Sequence, residues 1–161
     1  MTTQPRKAVH EGTISTPFPK PAGATAKPLE LPAFDHVHVY VTDRVTAETW
    51  YRDVLHLYRS QELEFWSSDG GPLMLRNSSG SIHIALFERP AQTCRSVIAF
   101  RVGAAGYESW KTHLESALPG QVSEQDHEVS LSLYFRDPDG NPYELTTYEV
   151  GRVNGKLPGG A

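Results

Sequence analysis

The sequence predicts an α+β protein made of two βαβββ modules whose sheets pair to leave a cupped surface. Three observations predict it. Residues His36 to Val41 alternate polar or aromatic side chains with valines, the period-2 pattern of a strand with two different faces. Two later stretches carry apolar residues at helical spacing. Landmarks also recur at a fixed interval: Trp50 and Trp110, Arg76 and Arg136, and Gly80 and Gly140 are each sixty residues apart, while His36 precedes Val97 by sixty-one.

The first module opens with the strand in "FDHVHVYVTD". In the helix that follows, Ala47, Trp50, Tyr51, Val54 and Leu55 fall at i, i+3, i+4, i+7 and i+8, with Thr46 as the expected N-cap. "ELEFWSS", "PLMLRN" and "SIHIALFE", parted by "DGG" and "SSG", read as three strands. The second module repeats the order. "SVIAFRV" is a strand, and "YESWKTHLESAL" is a helix with Tyr107, Trp110, Leu114, Ala117 and Leu118 on one face, ended by Pro119-Gly120. A short strand near "GQVSEQ" precedes those in "VSLSLYFRD" and "PYELTTYE". The modules span about 33–90 and 95–150. A unit of roughly 60 residues is marginal alone, so pairing would stabilise both and create a small-molecule site.

The flanks differ. Pro5, Pro17, Pro19, Pro21, Pro28 and Pro32 make residues 1–32 an extended arm, and residues 151–161 form a tail. The 161 residues are 39% hydrophobic and 21% charged, as expected of a globular domain. A net charge of −4 disfavours a nucleic-acid partner, and no apolar run approaches the ~20 residues of a membrane span. Cys94 is the sole cysteine and the start lacks the apolar segment of a secretory signal, so a cytoplasmic setting is expected. The sequon Asn77-Ser78-Ser79 accordingly reads as a loop.

Chemistry concentrates on a few strand positions. His36, His38 and Tyr40 share one face. Glu144 follows the turn Asp137-Pro138-Asp139-Gly140-Asn141. The turn itself reads as structural: proline and glycine fit tight-turn positions, and the acidic spacing is not that of a calcium loop. There is no phosphate-binding glycine loop and no Gly-x-Ser-x-Gly elbow. A buried, uncompensated carboxylate costs several kcal/mol, so an inward Glu144 needs a metal, strong donors or a cation such as Arg101, which shares a face with Val97 and Ala99. A single strand histidine is more often a hydrogen-bonded, half-buried residue than a ligand, and each one is weighed against that reading.

"DHVHVYVTD" with "WYRDVLHL", and then "LYFRDPDGNPYEL", resemble the vicinal oxygen chelate superfamily over about residues 34–149. That superfamily includes glyoxalase I, fosfomycin-resistance enzymes, extradiol dioxygenases and bleomycin-resistance proteins. The resemblance implies a metal in the cup, with ligands on the first and last strands of each module. Carried over residue by residue, those positions are His36, Ile84, Val97 and Glu144, so two of the four carry ligands. The missing ligand is sought at His38, or at His83 if a one-residue bulge after Gly80 turns it inward. Fe(II), Mn(II) or Zn(II) would suit such a set. The expected metal set is His36, His83 and Glu144, with proton transfer at Glu144 or His38 and substrate oriented by Tyr40, Arg101, Tyr134 and Tyr148.

The resemblance implies a metalloenzyme acting on a substrate with vicinal oxygens. The reaction would be dioxygenase-like, or an isomerase or lyase step next to a carbonyl. Val97 supports an alternative: a metal-free protein that sequesters a small molecule, as the bleomycin-resistance members do. A third reading is a module whose cup has lost its function. A homodimer is the assembly that the resemblance favours.

Overall fold

A computed structural model describes residues 33–90, 92 and 95–154, the side chain of Asp69 apart. The Pro-rich arm, Cys94 and the end of the tail lie outside the described residues. The elements run β1 (Val37–Val41), α1 (Arg44–Leu55), β2 (Tyr58–Arg59), a 3₁₀ helix (Gln61–Asp69), β3 (Leu73–Arg76), β4 (His83–Glu88), β5 (Ile98–Arg101), α2 (Ala104–Ala117), β6 (Ser123–Asp126), β7 (Leu131–Arg136), β8 (Pro142–Thr147) and α3 (Val150–Val153). The strands form two four-stranded mixed sheets, ordered β1-β4-β3-β2 and β5-β8-β7-β6. In each, the first strand lies parallel to the last, because the helical crossover returns the chain in the same direction. The expected α+β fold of two βαβββ modules is the observed one.

Alternation assigns the faces. In the first sheet, Val39, Val41, Ile84 and Leu86 are buried and enter the main apolar cluster. In the second, Leu133, Phe135, Tyr143 and Leu145 do the same. Helix α1 joins the two. Trp50 and Tyr51 pack on Tyr143 with ring centroids 6.1 and 6.0 Å away, and Trp50 also reaches Phe135 at 6.3 Å. Both sheets thus turn their apolar faces to one core, which leaves their other faces for polar residues.

A polar knot ties the modules together. The Tyr51 hydroxyl donates to Asp137 Oδ2 at 2.7 Å and lies 2.6 Å from the Tyr143 hydroxyl. Asp137 is 5% exposed, and it also accepts from the Asn141 backbone and amide N–H groups, each at 2.8 Å. Asn141 Nδ2 donates to the Tyr40 carbonyl at 3.1 Å, and the Thr42 hydroxyl donates to Asp139 at 2.6 Å. Gly140 has φ +86°, the left-handed backbone this turn requires. The turn is structural, as its sequence suggests, and it fastens one module to the other.

Three local expectations are corrected. "ELEFWSS" is not a strand but part of the 3₁₀ helix, and the strand preceding it is the two-residue β2. Arg59 holds the segment by bonding both Glu48 and Glu64, at 2.6 and 2.7 Å. The α1 N-cap is Asp43 rather than Thr46: Asp43 Oδ1 accepts from the Thr46 backbone N–H at 2.6 Å. The third correction bears on the site. The strict sixty-residue interval fails beyond Gly80. Arg76 pairs with His83 across six intervening residues, whereas Arg136 pairs with Pro142 across five. The added residue shifts β4 by one, so Ala85 rather than Ile84 corresponds to Glu144.

Candidate functional site

The extra residue after Gly80 decides which way His83 points. In register, His38 lies opposite Ala85, Ala85 opposite Met74, and His83 opposite Arg76. Cross-strand partners share a face. His83 therefore lies on the open side with His36, His38 and Tyr40, while Ile84 is fully buried in the core. The bulge considered from the sequence is realised as a longer hairpin.

On this first open face, His36 and His38 stack with ring centroids 5.0 Å apart and their Nε2 atoms 3.0 Å apart. Asp35 Oδ2 lies 2.6 Å from His36 Nδ1. A carboxylate there fixes the proton on Nδ1, so the Nε2 lone pair accepts from the His38 Nε2–H; the same carboxylate support is usual for a metal-bound histidine. Two ligands at ~2.1 Å from a metal and at right angles to each other lie ~3.0 Å apart. The separation equals that of two neighbouring positions on one ion, which would replace the hydrogen bond that joins the rings here. His38 also packs on Phe87, with centroids 4.8 Å apart, and Tyr40 tilts against Phe87 at 6.0 Å. The structure brings His38 to His36 and leaves His83 on the same face without a recorded bond to either.

The second open face carries Glu144. Ser132 Oγ donates to Glu144 Oε1 at 2.6 Å and lies 3.0 Å from Thr146 Oγ1. Tyr134 sits opposite Glu144 in the register, and its hydroxyl lies 3.1 Å from His127 Nε2. Burial raises the Tyr134 phenol above its ordinary pKa; the Ser132 hydroxyl counters this in part and the neighbouring Glu144 carboxylate adds to it. The phenol therefore stays protonated, a donor beside the carboxylate. The only signal of His127 in the sequence is its closeness to strand β7.

Arg101 is not the partner of Glu144. Its guanidinium lies over the Tyr148 ring, 4.5 Å from the centroid, and Glu144 has no ion pair among the described residues. The carboxylate is instead half-buried and satisfied by the Ser132 hydroxyl. Val97, at the expected ligand position of β5, is 46% exposed on this same side. Of the four strand positions, His36 and Glu144 bear ligand groups, while Ala85 and Val97 do not. Among the described residues, no three His, Cys, Asp or Glu side chains converge so as to hold a metal. The histidine pair and Glu144 each stand on the side of their sheet away from the shared core, and among the described residues no hydrogen bond or ion pair joins them.

Two βαβββ modules, each a four-stranded mixed sheet, make a fold that solved structures share. An integron cassette protein from the mobile metagenome of the Halifax Harbour sewage outfall superposes with TM-score 0.59 at 24% identity, covering 73% of this chain and 99% of its own. Lactoylglutathione lyase from Agrobacterium tumefaciens gives 0.55 at 24% identity, covering 75% and 97%. The fosfomycin resistance protein FosX from Listeria monocytogenes, in complex with Mn(II) and sulfate, gives 0.56 at 13% identity, covering 79% and 98%. No protein-family model matches the sequence. No helix among the described residues is long and apolar enough to cross a membrane.

Proposed function

We propose that the protein is a metal-dependent enzyme of the vicinal oxygen chelate type, acting on a small molecule with two neighbouring oxygens. The observation that carries this reading is the 3.0 Å approach of His36 and His38 Nε2, with Asp35 behind His36. A divalent ion, Mn(II), Fe(II) or Zn(II), would be held by His36 and His38, with Glu144 as a further ligand. Bound there, the ion would supply Lewis-acid polarisation of the substrate oxygens. Because His36–His38 and Glu144 are not joined within one chain, we place the complete site between two copies, the first open face of one meeting the second open face of the other. His83, on the histidine face, is left as a neighbour of the site rather than a ligand.

The chain's own groups then divide the work. Glu144 accepts the proton next to the carbonyl, steadied by the Ser132 hydroxyl. Tyr134, held in its phenol form, donates to a substrate oxygen. Arg101 and Tyr148, stacked on each other beside Glu144, and Tyr40, tilted on Phe87 beside His38, orient substrate. A carboxylate held by the Ser132 hydroxyl with no ion pair among the described residues suits proton transfer, which favours an isomerase or lyase step over the dioxygenase-like one. The test is exchange of the carbon-bound protons of dihydroxyacetone in D₂O with Mn(II) present. Metal-dependent exchange that is lost in Glu144→Gln supports the reading; exchange unchanged in that variant contradicts it.

Ala85 and Val97, apolar at two of the four strand positions, favour a second reading: a metal-free protein that sequesters its ligand in the cup. Absence of metal binding would select it.

A further inference from the structure

The register of the second sheet lays its open face out in rows. Ala99, Glu144, Tyr134 and Ser123 stand abreast on four strands. Two residues further along the strands, ~7 Å away, Pro142 stands beside Arg136. Val97 and Gln121, two residues before Ala99 and Ser123, continue that row at either end. On the other side of Glu144, the row of Arg101, Thr146 and Ser132 is already covered: Ser132 and Thr146 are buried, and the Arg101 guanidinium rests on Tyr148. A ligand therefore reaches Glu144 from the Pro142–Arg136 side.

A cavity of about 450 Å³ lies on that side, and its lining includes Val97, Pro142, Arg136, Gln121, Ser123 and Tyr134. Val97 and Pro142 form an apolar wall. The other four side chains can all donate hydrogen bonds, and no carboxylate lines the space. Arg136 is its cation. Nη1 donates to the Gly140 carbonyl at 2.6 Å, which fixes the head group and leaves its other N–H groups for an acceptor. Arg76, sixty residues earlier, lies 3.5 Å from Glu62, whereas Arg136 has no carboxylate within ion-pair distance among the described residues. Donors grouped round an unpaired guanidinium, beside an apolar wall, are complementary to a short carbon chain that ends in a carboxylate.

We infer that the substrate carries a terminal carboxylate, bound by Arg136 in this cavity, and a short apolar linker laid on Val97 and Pro142 that places its two neighbouring oxygens at Glu144. The inference rests on the enzymatic reading for the oxygens but not for the carboxylate. The probes are 5-hydroxy-4-oxopentanoate and 1-hydroxypentan-2-one, which share a hydroxyketone head and differ in ending on a carboxylate or a methyl group. Calorimetry on the full chain with Mn(II) should show the carboxylate binding about tenfold tighter or more, as a charge-assisted bond predicts. Arg136→Gln should erase that preference and leave the affinity for 1-hydroxypentan-2-one unchanged. Val97→Asp sets a negative charge in the wall without touching the Arg136–Gly140 bond, and it should erase the preference as well. His36→Ala should keep it. Equal affinity for the two probes in the wild type, or no binding of the carboxylate at millimolar concentration, overturns the inference. So does a preference that survives both Arg136→Gln and Val97→Asp, or one that His36→Ala removes. The enzymatic reading fails separately: a preference without proton exchange sinks the reaction and keeps the carboxylate subsite, while exchange on both probes without preference does the reverse.

Discussion

His36 Nε2 and His38 Nε2 lie 3.0 Å apart on one face of the first strand, with Asp35 2.6 Å behind His36 Nδ1. Adjacent same-face residues of a strand do not converge in this way by default, since side chains stand roughly perpendicular to the sheet. Stacking and the hydrogen bond between the two Nε2 atoms hold them together, and the carboxylate fixes the His36 ring. If Asp35 sets the tautomer of His36, then Asp35→Asn should weaken divalent-metal binding by ~10–100-fold while leaving the fold intact. Titration with Zn(II) alongside circular dichroism checks both parts. Unchanged affinity would remove Asp35 from the account.

The two histidines flanking this pair of roles can be separated. His38→Ala should cost more metal affinity than Asp35→Asn, because it removes a ligand rather than its support. His83→Ala should cost less, since among the described residues no hydrogen bond joins His83 to the pair. Mn(II) titration of the two variants gives the ranking, and the reverse ranking would make His83 the ligand.

The knot between modules predicts a stability cost. Tyr51→Phe removes the hydroxyl that donates to the buried Asp137, leaving that carboxylate short of a partner at a cost of ~1–3 kcal/mol. Urea denaturation measures it, and a change below the noise of the method would mean the bond is dispensable. The same residue gives a pH dependence. Burial, then the neighbouring Tyr143 and Asp137, raise the Tyr51 pKa well above its ordinary 10.0. A raised pKa means that the folded protein holds the proton more tightly than the unfolded chain. The stabilisation is therefore complete below pH 10 and is lost as pH climbs above it. Tyr107 is raised as well, by burial and then its bond to Glu124, so alkaline destabilisation should shrink in Tyr51→Phe without vanishing.

Two glycines should differ in kind. Gly140→Ala puts a side chain at φ +86° with nothing within 4 Å, so the cost is backbone strain alone, ~1–2 kcal/mol. At Gly71 a Cβ would stand 2.3 Å from the Trp66 carbonyl oxygen, so Gly71→Ala must displace the end of the 3₁₀ helix. Thermal unfolding should rank Gly71→Ala as the more damaging.

Much of this was legible in the sequence because it rests on short-range pattern. The alternation from His36 to Val41, the apolar stripes of α1 and α2 and the strand after Gly140 all gave the right elements and faces. What was not legible depends on counting or on distant partners. Gly80 and Gly140 kept the sixty-residue interval, which hid the added residue between Gly80 and His83, and with it the replacement of Ile84 by Ala85 at the site position. "ELEFWSS" alternates well enough for a strand, but it coils as a 3₁₀ helix whose Glu64 is tied back to Arg59 on β2. Arg101 shares a face with Glu144, yet Tyr148 takes its guanidinium and Ser132 satisfies the carboxylate, and neither contact has a sequence signature.

The central claim is that His36 and His38 hold a metal. It is tested most directly by the metal content of protein purified without chelators and reconstituted with Mn(II) or Zn(II), for the wild type and for His36→Ala. The account predicts about one equivalent per chain in the wild type and nearly none in the variant, since removing one ligand of a two-nitrogen half-site leaves too little to retain the ion. Less than about a tenth of an equivalent in the wild type, or full retention in His36→Ala, would contradict it.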